Sequence, residues 1–304
     1  MANIKELRGR IKSVSNIAKI TKAMEMVASM KLRKVQARAL SQGPYARTLY
    51  GIMSHLAKHV GRDTERPLFV QREAVATIGV LVITSDRGLC GAYNSNVLAQ
   101  VTELRERLAA AGRQVALKFY VIGRKGYTWL GRRGYHVERF YAESTLESLD
   151  FGTARAASDD LVADFLSGSL DEVLVMATDF RSASRFEPTS IKFLPLADLE
   201  PSHVPVFSDL TFEQPEPHIG SFLLEPNADA MFEKIVPKYL QTIVFDAMLE
   251  SLASEMASRR MAMKGATDAA SRMGKELRKK YNRARQESIT KELLDIIGGA
   301  NAVS

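Results

Sequence analysis

The chain has little of several features on which common functions depend. Its 304 residues include a single cysteine, Cys90, which excludes an intramolecular disulfide and fits a reducing compartment. No apolar run reaches the roughly 18 to 20 residues that a helix needs to cross a bilayer. The first residues, MANIKELRGRIKSV, lack both the apolar core of a signal peptide and the character of a transit peptide. These absences predict a protein of the cytosol or of a cytosolic membrane face.

Motifs for nucleotide and metal binding are also missing. A dinucleotide fingerprint reads G-x-G-x-x-G and a P-loop reads G-x-x-x-x-G-K-[ST], and the chain contains neither. The best candidate for such a loop is TSDRGLCGAYNSN, residues 84–96, in which Gly88 and Gly91 follow an apolar run. His55 and His59 stand four apart but lack the glutamate that a zincin helix carries after its first histidine. We therefore expect no cofactor, no metal and no catalytic residue, and interpret 84–96 as a tight strand-to-helix turn.

Negative charge is scarce at the N-terminus, although the whole chain carries only +7. Residues 1–60 hold 12 Lys and Arg against 2 Asp and Glu, and residues 227–304 hold 13 against 10. The intervening residues hold 17 against 23. A basic arm beside an acidic centre predicts an acidic partner surface for the arm. Nucleic acid, anionic lipid and an acidic protein pocket all fit that description.

Two long amphipathic segments flank the chain. Within 3–59, apolar residues recur every three or four positions, and Gly43-Pro44 is expected to bend the helix without ending it. The second segment begins near Asn227, a candidate N-cap, and includes Pro237 early in its length. Residues 238–297 alone would form a helix of roughly 90 Å. A helix of that length must pair with another long helix, and the first segment is the available partner.

Between these segments, residues 76–196 alternate strand-like and helix-like runs. Fully apolar strands separated by helices favour a parallel sheet covered on both faces. The predicted strands are TIGVLVITS, ALKFYVIG and DEVLVMATDF, with TSIKFLPL as an edge strand, and the predicted helices are NSNVLAQVTELRERLAAAG, RKGYTWLGRRG and TARAASDDLVADFLSG. Prolines from 195 to 217 mark a linker to the second long helix.

The basic tract KELRKKYNRARQ, Lys275–Gln286, leaves its partner open. Its charge resembles that of a nucleic-acid-binding helix, yet Leu277 and Tyr281 continue the apolar stripe through it. A solvated helix face is one interpretation, and arginines that meet acidic groups of a protein partner are another. At this point a nucleic-acid-binding coiled coil and a nucleotide-binding α/β enzyme both remain alternatives.

Four segments together resemble the γ subunit of bacterial F-type ATP synthases. They occur in the family's order and extend over essentially the whole chain: KITKAMEMVASMKLRK, TSDRGLCGAYNSN, AMKGATDAA and YNRARQESITKELLDIIGGA. Of these, ITKELLDIIGGA is the most specific, because unrelated coiled coils have no reason to carry it. Arg260, Gly265 and Ala269 depart from the residues usual in the family.

The resemblance implies a fold and a function. The fold is a Rossmann-like α/β domain inserted between two long terminal helices that form an antiparallel coiled coil. The function is that of the central rotary shaft, which couples proton-driven rotation of the c-ring to conformational changes in the catalytic β subunits without bond chemistry of its own. The implied partners are the α and β subunits of the hexamer, the ε subunit and the c-ring, and not nucleic acid.

The resemblance also assigns contact residues to this chain. Contacts with the β subunit fall on Met24, Arg259, Arg285, Gln286 and Thr290, and contacts with the lower rim of β fall on Arg87 and Cys90. Contacts with the c-ring and ε fall on Phe222 and Glu225.

The implied domain limits follow the predicted elements. They are 1–60 for the N-terminal helix, 76–200 for the α/β domain, 201–226 for the linker and c-ring foot, and 227–304 for the C-terminal helix. One cysteine excludes the redox-controlled cysteine pair of chloroplast relatives, and no presequence is recognised. The expected location is peripheral, at the cytoplasmic face of the bacterial inner membrane.

Overall fold

The structure, a computed structural model, describes residues 4–59, 66–143, 145–196 and 228–303. Helix α1 runs Ile4–His59 and helix α5 runs Ala228–Val303, with 56 and 76 residues. None of the described helices combines the length and apolar character that crossing a membrane requires. The predicted foot segment 201–226, with Phe222 and Glu225, and the predicted N-cap Asn227 lie outside the described residues.

Helix α1 continues through Gly43-Pro44, as predicted. Pro44 has no N–H to donate to the preceding turn, and it is nevertheless internal to the helix. Two side chains donate to carbonyls at this point: Arg47 Nε to the Gly43 oxygen at 3.4 Å and Thr48 Oγ1 to the Pro44 oxygen at 2.9 Å. Pro237 likewise lies inside α5, so neither proline ends its helix.

A five-stranded sheet with its connecting helices occupies the middle of the chain. The elements in chain order are β1 Thr77–Ile83, α2 Tyr93–Ala110, β2 Ala116–Ile122, α3 Arg124–Arg132, β3 Val137–Phe140, a 3-10 turn Leu146–Ser148, α4 Phe151–Leu166, β4 Glu172–Phe180 and β5 Phe186–Leu194. The strand order is β3-β2-β1-β4-β5. The pairings β1–β2, β1–β4 and β2–β3 are parallel, and β5 joins β4 antiparallel as an edge strand. The fold class is therefore the predicted α/β insertion.

Strand β3 was not predicted from the sequence. It has four residues, VERF, and none of them is fully buried. So short and polar a segment has neither the apolar run of a central strand nor enough alternation to be recognised. Its pairing with β2 at the edge of the sheet determines its conformation.

Internal packing divides the chain into two units, which are described separately. The sheet unit is Met30–Ser258, and the paired-helix unit consists of Met1–Ser29 and Arg259–Ser304. In the sheet unit, helices cover both faces of the sheet. Val80 and Val82 face a core with α2 and α3, whereas Leu81 and Ile83 face a core that includes α4 and residues of α1 and α5.

In the paired-helix unit the two helices run antiparallel, as the coiled-coil prediction requires. The hydroxyls of Thr21 and Thr267 lie 2.7 Å apart. Seven residues further along each helix in opposite directions, Val14 Cγ1 lies 3.8 Å from the position that a Cβ on Gly274 would take. The distance at Gly274 corresponds to ordinary van der Waals packing between the two helices.

Candidate functional site

Helix α5 passes through the sheet unit as an enclosed segment. Every residue from 242 to 258 is buried, so this part of the helix has no solvent face. A helix that is enclosed all round must satisfy its polar groups within the protein. Residues 242–258 of α5, called here the enclosed segment, therefore depend on contacts with the sheet and α1.

Serines tie the enclosed segment to the carboxyl-terminal edge of the sheet. Thr178 N in β4 donates to Ser251 Oγ at 3.2 Å, and Ser254 Oγ donates to the Thr178 oxygen at 3.5 Å. Ser258 Oγ donates to the Cys90 oxygen at 2.6 Å. These contacts were not predicted from the sequence. The available signal was the spacing of the serines at 251, 254 and 258. Residues that are three, four or seven positions apart lie on the same face of a helix.

Carboxyl groups also lie within the enclosed segment. Asp246, Glu250 and Glu255 are all buried there. Burial raises the pKa of the Asp246 carboxyl from its usual 3.8 to about 7. Burial, followed by the charge of Asp246, raises the pKa of Tyr50 on α1, whose ring meets Tyr239 edge-on with centroids 5.1 Å apart. The apolar positions of this helix follow from the sequence pattern, whereas the burial of its acids does not.

The turn between β1 and α2 is held by its own polar groups. Ser85 N donates to Asn94 Oδ1 at 3.0 Å, and Asn94 Nδ2 donates to Ser85 Oγ at 2.8 Å and approaches Cys90 Sγ at 3.1 Å. Left-handed backbone occurs at Gly91, with φ 58°, and at Leu89, with φ 65°. The glycine at 91 meets the expectation of a glycine-dependent turn, whereas a leucine takes the second left-handed position.

The two residues assigned to the lower rim differ in their exposure. Arg87 is exposed, and its carbonyl oxygen accepts from Ser85 Oγ at 2.7 Å. Cys90 is only 2% exposed, and its thiol lies beside Ser85 and Asn94 inside the turn. The side chain of Arg87 is thus available at the surface, and Cys90 is part of the turn's interior.

The paired-helix unit presents a basic surface near the end of α5. Arg285, Gln286 and Thr290 are exposed, and none of their side chains is hydrogen-bonded or ion-paired to another described residue. The same stretch of the helix exposes Lys275, Arg278, Lys279, Lys280 and Arg283. Among the described residues of this stretch, Arg283 is paired with Glu287 at 2.9 Å. Most of the tract's charge is therefore uncompensated within the part of the chain that the structure describes.

The other two residues assigned to the β subunit are less exposed. Met24 on α1 is half-buried, three residues along the helix from the Thr21–Thr267 contact. Arg259 on α5 is 9% exposed and interacts with other residues of the chain. No group of three or more His, Cys, Asp or Glu in the described ranges is arranged to hold a metal ion.

Comparison with known proteins decides among the interpretations. The family model described as ATP synthase matches residues 3–303. The ATP synthase gamma chain of Chloroherpeton thalassium is 39% identical over 304 residues, covering 100% of this chain and 99% of the relative. The chain belongs to the ATP synthase gamma chain family. A further gamma chain, from Methylobacillus flagellatus, is 36% identical and covers 100% of both chains.

Solved structures agree with this membership. The chain is similar to a chain of the Tetrahymena thermophila mitochondrial ATP synthase central stalk and c-ring. The TM-score is 0.57 and the identity 26%, and the match covers 81% of this chain and 99% of that one. A rotor chain of the Euglena gracilis mitochondrial ATP synthase has a TM-score of 0.63 at 17% identity, covering 94% of this chain and 98% of that one, and shows the shared fold. The comparisons support membership in the gamma family and do not support the two alternatives, a nucleic-acid-binding coiled coil and a nucleotide-binding enzyme.

Proposed function

We propose that this chain is the central rotary shaft of a bacterial ATP synthase. It turns with the c-ring and drives the catalytic β subunits through successive conformations, which couples two distant sites mechanically. It performs no bond chemistry itself. The observation that carries this proposal is the full-length similarity to ATP synthase gamma chains, at 39% identity to one of them, together with the ATP synthase family match over residues 3–303 and the antiparallel pairing of α1 and α5 within the paired-helix unit.

The proposed partners are the α and β subunits of the hexamer, the ε subunit and the c-ring. The similar Tetrahymena chain comes from a central stalk and c-ring assembly, which supports a rotor position. The proposed location is peripheral, at the cytoplasmic face of the inner membrane. Relatives from Chloroherpeton, Mycobacterium and Methylobacillus, all bacteria, support this assignment.

The β-subunit contact surface is proposed to lie on both helices of the paired-helix unit. Its members are Met24, Arg259, Arg285, Gln286 and Thr290. Exposed guanidinium groups without a carboxylate partner in their own chain bind strongly to carboxylates of a neighbour, because charge-assisted and bidentate hydrogen bonds form. The uncompensated cations around Arg285 support an acidic surface on β as the counterpart.

A second contact is proposed at the lower rim of β. Arg87 would make it directly, since its side chain is exposed, and Cys90 would support the turn that presents Arg87. Phe222 and Glu225, in the segment 201–226, are proposed to contact the c-ring and ε. The domain limits 1–60, 76–200, 201–226 and 227–304 are part of the same proposal.

Replacing Arg285 and Gln286 by alanine tests the β-subunit contact. We expect a folded chain that assembles normally but transmits rotation less efficiently, because both side chains point away from their own unit. The measurement is proton pumping per ATP hydrolysed in membrane vesicles that carry the assembled complex. The matched control is Arg113→Ala with Gln114→Ala, the same dipeptide at an exposed site of the sheet unit.

Reduced pumping in the double variant at 285 and 286, with normal pumping in the control, supports the contact. Unchanged pumping in both would remove these residues from the proposal. The shaft function as a whole has its own test, because an isolated shaft should neither hydrolyse ATP nor bind it tightly. It should also co-purify with α, β and ε from native membranes.

A further inference from the structure

A cleft in the sheet unit lies apart from every contact discussed so far. Its volume is about 190 Å³, and it is bounded by residues 31–38 of α1, by the 3-10 turn with Leu149, and by the enclosed segment of α5. Four buried apolar side chains form its floor: Val35, Leu149, Leu252 and Met256. An apolar floor with a few charged groups at the edge is the usual composition of a small-molecule site.

The rim of this cleft carries more positive than negative charge. Lys31, Lys34 and Arg38 line it, at positions three and four apart on α1 that share one helix face. Glu147 lines it as well and pairs with Lys31, with Nζ and Oε2 2.5 Å apart. Lys34 and Arg38 have no carboxylate partner among the described residues. The rim therefore holds two uncompensated cations above an apolar floor.

One residue of the cleft floor, Leu149, has an uncommon backbone conformation. Leu149 has φ 47° and ψ 52°, a left-handed geometry that is costly for a bulky residue. Its side chain is nevertheless 2% exposed and belongs to the floor. The preceding 3-10 turn is fixed at its start by Thr145, whose Oγ1 accepts from Ser148 N at 3.3 Å. The turn that carries Leu149 is thus held by contacts within the chain itself.

Arg38 also contacts an aromatic ring next to the cleft, although that ring does not line it. Its guanidinium carbon lies 5.5 Å from the centre of the Phe245 ring, within the range of a cation–π contact. This contact leaves the donor N–H groups of the guanidinium free of a carboxylate within the described residues. An anion at the rim would therefore meet a cation that is already partly positioned.

We propose that this cleft binds a small organic anion with an apolar body and one carboxylate or phosphate head. The head would lie at the rim between Lys34 and Arg38, and the body would cover Leu252 and Met256. The cleft's volume of about 190 Å³ is smaller than a typical drug-sized pocket of about 300 Å³ or more, which favours a small ligand. The inference goes beyond the shaft function and does not depend on it.

Binding of hexanoate to the full-length chain tests the site. The chain is labelled with ¹³C at the methionine methyl groups, and the Met256 signal is identified by its loss in Met256→Leu, a volume-conserving change. Hexanoate should shift the Met256 signal in a saturable manner and leave that of Met24, in the other unit, unchanged. Acetate lacks the apolar body and hexylammonium has the wrong charge, so neither should produce this shift at the same concentration.

A charge-reversal pair tests which side chains hold the head group. Lys34→Glu with Arg38→Glu should raise the Kd for hexanoate by at least about tenfold, because two charge-assisted bonds are lost. The matched control is Arg8→Glu with Lys12→Glu, an exposed pair with the same four-residue spacing and charge change on the same helix. This control should change the Kd by less than about twofold.

Three results would overturn the proposal. One is a Met256 signal that hexanoate does not shift. Another is an equal shift with hexylammonium, which would indicate apolar binding without a role for the cations. The last is an equal loss of affinity in the two charge-reversal pairs, which would indicate a general effect of the chain's charge.

Discussion

The buried carboxyl group of Asp246 makes the stability of the sheet unit depend on pH. Asp246 is 9% exposed, and its Oδ2 has no hydrogen-bond partner among the described residues. Burial raises its pKa from 3.8 to about 7 in the folded chain. Between these two values the folded chain holds a proton that the unfolded chain has released. The free energy of unfolding therefore falls as pH rises from about 4 to about 7 and levels off above the folded-state pKa.

The magnitude follows from the size of this shift. Each pKa unit corresponds to about 1.4 kcal/mol, so the full effect is about 4 kcal/mol. Between pH 5 and pH 8 the share of the loss is about 3 kcal/mol, because part of it has already occurred at pH 5. Asn has the shape of the protonated Asp and does not titrate. From pH 5 to pH 8 the unmodified chain should lose about 3 kcal/mol of its free energy of unfolding through Asp246. The Asp246→Asn variant should not show this loss, so its stability relative to the unmodified chain should rise by about 3 kcal/mol.

Urea unfolding at the two pH values measures this difference. The chain has a single tryptophan, Trp129, which is half-buried in α3 of the sheet unit, so its fluorescence reports on the unit that contains Asp246. Glu250 and Glu255 remain in both chains, and comparing the two chains therefore isolates Asp246. Asp268→Asn, an exposed substitution on the same helix, is the control and should show no such gain. Equal pH dependence in Asp246→Asn and the unmodified chain would refute the reasoning.

Three further predictions concern the turn, the sheet edge and the shaft. Ser258→Ala should lower the free energy of unfolding by about 1 kcal/mol in the same fluorescence assay, because the 2.6 Å bond to the Cys90 oxygen is lost. Gly123→Ala should cost at least about 2 kcal/mol, since Gly123 has φ 99° and a Cβ would lie 2.0 Å from the Thr84 oxygen. Met24→Lys should lower proton pumping per ATP hydrolysed in the assembled complex, because an added cation would bind the proposed acidic surface of β too tightly.

Each of these has a matched control. Ser95→Ala removes a hydroxyl at an exposed site and should leave stability unchanged. Gly131→Ala adds a methyl where nothing lies within 4 Å and φ is ordinary, and it should be neutral or stabilising in its helix. Met24→Leu keeps an apolar side chain of similar volume and should pump normally. If Ser95→Ala and Gly131→Ala lose as much stability as Ser258→Ala and Gly123→Ala, the losses do not come from the specific contacts. Normal pumping by Met24→Lys would contradict the proposed contact of Met24 with the β subunit.

Part of the fold could be predicted because the pattern in the sequence is strong. β1, β2 and β4 are nearly continuous apolar runs, and the apolar stripe of α1 repeats over many turns. Each of these elements can therefore be recognised from its own local sequence. The four-residue strand β3 gives no such local pattern and was missed. Its conformation depends on pairing with β2, which is a neighbour in space.

The candidate contact surfaces likewise include features that the sequence predicts and features that depend on contacts between distant residues. The family resemblance predicts that Arg285 and Arg87 are contact residues, and both side chains are exposed at the surface. Burial is the usual state of a free cysteine in an apolar turn, but the contacts that enclose Cys90 could not be inferred, because they depend on how the turn closes over the thiol and on Ser258, which donates to the Cys90 carbonyl. The cleft beside Lys34 unites residues more than a hundred positions apart in the chain, such as Val35 and Leu149.

The sequence by itself determined the α/β insertion between two long helices and the uneven distribution of charge. These properties depend on the period of apolar residues and on composition, which are local and can be counted along the chain. The tertiary structure decided that Asp246 is enclosed, that serines join α5 to the sheet, and that a charged cleft exists beside α1. These properties depend on which distant residues exclude water from one another, and a one-dimensional pattern does not contain that information.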